Sequence, residues 1–146
     1  AGWGRNIAGA FAKNPRLACI SGPYNYYDIP RWQQALVALY WYALAMPVYF
    51  LLGYMVVGGN FAIRRTVLEK MKGFDTTIQF YGEDTNIARR AHECGKVRFS
   101  PKLVMPTSGR RIKGEGLLKT GLVYVANFIS EAFAHRPLTK TNKDIR

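Results

Sequence analysis

Three short stretches carry residues that could do chemistry. Gly58-Gly59-Asn60 follows an apolar run; paired glycines let backbone approach a ligand that a side chain would obstruct, and they equally suit a plain tight turn. Gly82-Glu83-Asp84-Thr85 sets two carboxylates at the start of a helical pattern. Acids in a first turn are favoured by the helix dipole by about 0.3–1 kcal/mol, and a carboxylate kept ionised there can also take a proton from a hydroxyl as a general base. Ser108-Gly109-Arg110-Arg111 sets two guanidinium groups side by side, which a solvated basic loop would also do. His92 and His135 fall in separate predicted helices with no second ligand at usable spacing, and Cys19 and Cys94 lie 75 positions apart. That spacing excludes a Cys-x-x-Cys zinc site and a disulfide-dense scaffold and points to free thiols in a reducing cytoplasm.

The elements that must position these residues follow from pattern. A helix is expected over Arg5–Lys13, closed by Asn14-Pro15, because proline disfavours helix in the residue before it. Leu17–Ile20 reads as a buried strand ending at Gly22-Pro23, and Asp28-Ile29-Pro30 starts a helix that runs on from Arg31. Met55–Val57 is expected as a strand leading into the glycine pair. Thr66 is the expected N-cap of a short helix over Val67–Lys72 that Gly73 closes. Gly82–Cys94 reads as a helix ended by Gly95, Lys96–Phe99 and Leu103–Met105 as short strands, and Gly116–Ala134 as a final helix, with a polar tail after Pro137.

Charge is unevenly spread along this chain of 146 residues, whose net charge is +12. The last 52 residues carry eleven positive and three negative charges, whereas Asp75, Glu83, Asp84 and Glu93 concentrate between positions 73 and 94. Half the chain, 49%, is hydrophobic, so disorder is excluded, and the basic excess calls for an anionic partner. Ala35–Val57 runs for 23 residues without a charge, long enough to cross a bilayer of about 30 Å hydrocarbon. Pro47, Gly53 and scattered tyrosines favour instead a helix half buried in the domain and half lying at the membrane interface. The helix over Leu117–Phe133, with Lys113 and Lys119 near its start, reads as packing or as attachment to an anionic membrane surface.

Taken in order, Gly-Gly-Asn-x-Ala-x-Arg-Arg at 58–65, Lys-Gly-Phe-Asp at 72–75, Phe80-Tyr81-Gly82-Glu83-Asp84 with Arg89-Arg90, Gly95-Lys-Val-x-Phe-x-Pro and Ser108-Gly-Arg-Arg resemble the family-2 glycosyltransferases. The resemblance spans about Phe11 to Arg111. It implies an α/β chain forming the C-terminal part of a GT-A, Rossmann-like domain over 1–112, with mixed short strands and flanking helices, followed by a basic amphipathic helix and tail over 113–146. It implies Asp84 as the base that deprotonates an acceptor hydroxyl and Glu83 as a shaper of the acceptor site. Gly58, Gly59 and Asn60 match the turn beneath donor sugar and acceptor, and Arg110 and Arg111 the basic pair near the end of the catalytic domain.

The partners implied are a nucleotide-sugar donor, a sugar or lipid-linked acceptor of cell-surface polysaccharide or glycolipid synthesis, and the cytoplasmic side of a membrane, with no nucleic acid. A divalent metal, Mg²⁺ or Mn²⁺, is expected in the intact enzyme. The family's Asp-x-Asp motif is not in this sequence, since no two of Asp28, Asp75, Asp84 and Asp144 stand two apart, and Met105-Pro106-Thr107-Ser108 occupies the region where many relatives place a histidine. The chain, opening on Ala1, is therefore expected to be the acceptor-side half of a longer enzyme and inactive alone. The competing reading is a non-enzymatic basic module for membrane or nucleic acid.

Overall fold

The computed structural model describes residues 2–78 and 82–134. The Phe80-Tyr81 part of the third motif, His135, Asp144 and the tail after Pro137 lie outside the described residues.

The chain is a mixed α/β structure with a small mixed sheet flanked by helices. α1 (Trp3–Lys13) ends at Asn14, which is already extended ahead of Pro15, as the sequence predicts. β1 (Leu17–Ser21) is buried at all five positions and forms the centre of a three-stranded sheet. Its neighbours are β3 (Phe61–Ile63), antiparallel, and β4 (Lys96–Phe99), parallel. The core lies on both faces of the sheet, and a register shift in β1 between Leu17 and Cys19 puts the adjacent Ala18 and Cys19 together on one of them. Cys19 and Val97 face α4 (Arg65–Lys70) and α5 (Glu83–Cys94) through Val67, Met71, Ala88 and Ala91. Leu17 and Ile20 face α1 through Ile7 and Leu103. Arg64 ties the α1 end to the sheet: its guanidinium donates to the carbonyls of Phe11, Asn14 and Leu17 and lies 4.8 Å from the centre of the Phe11 ring.

β2 (Tyr24–Tyr26) and β5 (Met105–Thr107) pair in parallel as a second, two-stranded sheet. Beyond it lie α6 (Arg110–Glu115) and α7 (Leu117–Ala134), separated at Gly116. Among the described residues one helical run, Arg31–Leu52, is long and apolar enough to cross a membrane. It consists of α2 (Arg31–Tyr40), a π-helical turn over Trp41–Ala45 and α3 (Met46–Leu52). Pro47 has no N–H to give to the Ala43 carbonyl and its ring would crowd that oxygen, so the ladder widens just ahead of it and Met46 N–H reaches Trp41 O instead. The run packs on the sheet through Trp41 and Tyr49, whose ring centres lie 5.7 and 6.1 Å from that of Phe99. Trp32, Leu36, Leu39, Tyr42, Phe50 and Leu51 stay exposed.

Three expectations need correction. Tyr54–Val57 is buried but pairs in no ladder among the described residues, because Val57 N–H is taken by the Ser21 hydroxyl; the strand is Phe61–Ile63, after the glycine turn. The N-cap of α4 is Arg64, with no side-chain cap, in place of Thr66. The last strand lies two residues later than Leu103–Met105, because Leu103 turns into the core against Ile7 and Ile20. Arg110-Arg111 stands at the start of α6, where a solvated basic loop is the alternative reading of the sequence.

Candidate active site

Asp84 lies in the first turn of α5, behind Gly82, whose φ of 83° lets the chain turn sharply into the helix. Its carboxylate accepts from Gly58 N–H at 3.2 Å and from Thr85 N–H at 2.9 Å. The loop that ends at the glycine pair thus meets the helix start, joining two motifs 26 residues apart. Burial pushes the Asp84 carboxyl above the usual aspartate range, partly offset by N–H groups of Gly58, Thr85 and Asp84 itself. Glu83, more exposed, is pushed up by desolvation and by the Asp84 charge. Both carboxylates line an open pocket of about 350 Å³ whose apolar wall is Phe61, Phe74 and Ile78.

The two glycines differ. Gly59 has φ of 80°, and a Cβ there would stand 2.7 Å from the Tyr24 hydroxyl. A Cβ on Gly58 would make ordinary contact with Asp84, at 3.7 Å from Oδ2. Asn60 lies beneath the turn and not on it. It is 0% exposed, donates to the carbonyls of Gly22, Pro23 and Leu103, and accepts from the Trp3 indole N–H at 2.9 Å. Its amide therefore holds the turn in place and has nothing left for a substrate.

A group of tyrosines that sequence reasoning missed stands beside Asp84. Tyr24 donates to Gly58 O, and its ring centre is 6.1 Å from that of Tyr26. Burial raises the hydroxyls of Tyr24 and Tyr40, and the Asp84 charge raises both further. Burial and then Tyr124 raise Tyr26, while Arg111 pulls it back down. Arg111 donates to the Tyr124 hydroxyl at 2.9 Å. The β2–β5 pair thus brings the Arg111 side chain toward the tyrosines that flank Asp84, whereas Arg110 is exposed. The one signal for this cluster was the spacing of Tyr24 and Tyr26, which puts both on one face of a strand.

Asp28 fixes the start of α6. Its carboxylate accepts from Gly109 N–H at 2.5 Å, Ser108 Oγ at 2.9 Å and Lys113 Nζ at 3.0 Å. The Gly109 and Lys113 bonds hold it down to about 2. A Cβ on Gly109 would overlap Ile29 Cγ2, so the glycine of Ser-Gly-Arg-Arg answers to packing. Cys19 is buried, its thiol pushed up to about 12 by desolvation, and Cys94 is half-buried; both are free. Among the described residues no three His, Cys, Asp or Glu side chains converge as metal ligands. Comparison of the chain with protein-family models, with curated proteins and with solved structures finds no match.

Proposed function

We propose that the chain is the acceptor-side part of a GT-A glycosyltransferase that moves a sugar from a nucleotide-sugar to an acceptor hydroxyl with inversion. The observation that carries this reading is the Asp84 carboxylate, held by Gly58 and Thr85 N–H groups, with raised proton affinity, on the wall of an open pocket. A carboxylate so placed suits general-base work, because its proton affinity lies closer to neutral pH than that of a solvated aspartate.

In the proposed step Asp84 takes the acceptor hydroxyl proton while the hydroxyl oxygen bonds to the anomeric carbon. The bond from that carbon to the nucleoside diphosphate breaks with its electron pair on the leaving oxygen. Arg110 and Arg111 are the groups of this chain suited to the leaving diphosphate, at the start of α6. The divalent metal expected in the intact enzyme would take its ligands mostly from outside this segment, since no three His, Cys, Asp or Glu side chains converge among the described residues, and no step here is routed through it. The exposed aromatic and aliphatic face of Arg31–Leu52, opposite the Trp41 and Tyr49 contacts, supports attachment at a membrane interface, where a lipid-linked acceptor would be presented.

The test is to join this chain to its nucleotide-binding half, supply nucleotide-sugars, and read the anomeric configuration of the product by proton NMR. Transfer with inversion is expected. A product that keeps the donor configuration, or no transfer from any nucleotide-sugar, would overturn the reading.

A further inference from the structure

A second pocket, of about 480 Å³, opens on the other face of the three-stranded sheet. The register fixes its place: Arg98 of β4 stands beside Ile20 of β1, which faces α1, whereas Val97 and Cys19 face α5 and the side of the sheet that carries Asp84. Arg5 and Lys13 come from α1, Arg98 from β4 and Lys102 from the turn after it, with Asn6 and Ser100 between them. No acidic side chain among the described residues lines this pocket. The ion pairs of the described residues lie outside it: Arg65 with Glu69, Arg89 with Glu93, Lys113 with Asp28. Four like charges gathered on one concavity repel one another and are stabilised by a multiply charged anion. A pocket of this size suits a small ligand better than a helix or a strand of polymer.

We propose that this pocket binds a phosphorylated group carrying two or more negative charges, with Arg98 and Lys102 as its principal contacts and Arg5 and Lys13 closing it from α1. The site is separate from the Asp84 pocket and does not rest on the glycosyltransferase reading. The group can belong to a soluble phosphate compound or to the headgroup of a phosphorylated lipid.

The test is calorimetric titration of the 146-residue chain with inorganic pyrophosphate at about 0.15 M salt, where loose surface attraction is screened, together with flotation on vesicles containing a phosphatidylinositol phosphate. The variants are Arg98→Ala with Lys102→Ala, and independently Arg5→Ala with Lys13→Ala, all at exposed side chains. Lys70→Glu and, independently, Arg65→Ala, both exposed on α4, are the controls outside the pocket. Saturable pyrophosphate binding that either pocket variant weakens by roughly tenfold or more, with the controls unchanged, is the expected result and assigns a soluble ligand. Vesicle binding alone, lost in the pocket variants and kept in the controls, also supports the site and assigns a lipid headgroup. Binding of neither, or equal weakening by pocket and control variants, would overturn the proposal.

Discussion

Asn60 and Asp84 both touch the Gly58-Gly59 turn, yet the structure uses them in opposite ways. Every polar atom of the Asn60 side chain is committed, its amide donating to three carbonyls and its oxygen accepting from Trp3, and no part of it reaches solvent. Asp84 accepts from the N–H groups of Gly58 and Thr85 and from its own, where a carboxylate has about four acceptor positions, and it borders an open pocket. A saturated polar group is part of the frame, and a restrained but unsaturated one beside a cavity is available for chemistry. The difference lies in unspent hydrogen-bonding capacity, which residue type and sequence spacing do not reveal.

That contrast can be broken most forcefully at Asp84. In the glycosyltransferase proposed above, Asp84→Asn should lower turnover by ~10²–10⁴-fold, the usual contribution of a general base, while donor affinity measured by titration stays near its original value. Its effect on folding should have the opposite sense. Because the folded state raises the Asp84 pKa, ionisation opposes folding, so the stability of the native chain falls as pH rises through that value. Urea midpoints of Asp84→Asn should therefore gain on those of the native chain as pH rises.

Next in size, Asn60→Ala should destabilise the fold by about 3 kcal/mol, read from urea unfolding, because it leaves buried carbonyls without a donor. Retention of native stability would mean that water replaces the amide and that the frame lies elsewhere. The glycines divide the same way. Gly59→Ala should cost roughly 1–2 kcal/mol of stability through its left-handed backbone, whereas Gly58→Ala should leave the melting temperature nearly unchanged and lower turnover, since its methyl would rest on the Asp84 carboxylate. The smallest effect concerns Asp28. Its lowered pKa stabilises the fold above the ordinary 3.8, and that contribution is lost as pH falls toward about 2. Melting temperatures of Asp28→Asn and the native chain should differ at neutral pH and converge near pH 2.

Much of the frame was legible because local rules agree there. Asn14-Pro15 stops α1, the unbroken apolar Leu17–Ile20 becomes the buried central strand, and Gly82 and Gly95 bracket α5. The strand after the glycine turn was not legible, because Phe-Ala-Ile followed by two arginines is too short to show a period, and its partner lies far back in the chain, with Phe61 opposite Ser21. Arg64 read as part of a basic pair, whereas its guanidinium holds three carbonyls from α1, its C-terminal end and β1, a role set by distant backbone. At the candidate site the Glu-Asp pair and the glycine turn were readable. The Tyr24–Tyr26–Tyr124 cluster and the Asp28 anchor were not, because both depend on the parallel β2–β5 pairing between segments some 80 residues apart.

The most direct measurement is the pH dependence of kcat/KM for the proposed sugar transfer, which reports groups on the free protein. The acid limb should fall above 3.8, the ordinary value for aspartate, and should move when Asp84 is replaced by Glu. An acid limb at or below 3.8, or one that Asp84→Glu leaves in place, would contradict the assignment of Asp84 as the base.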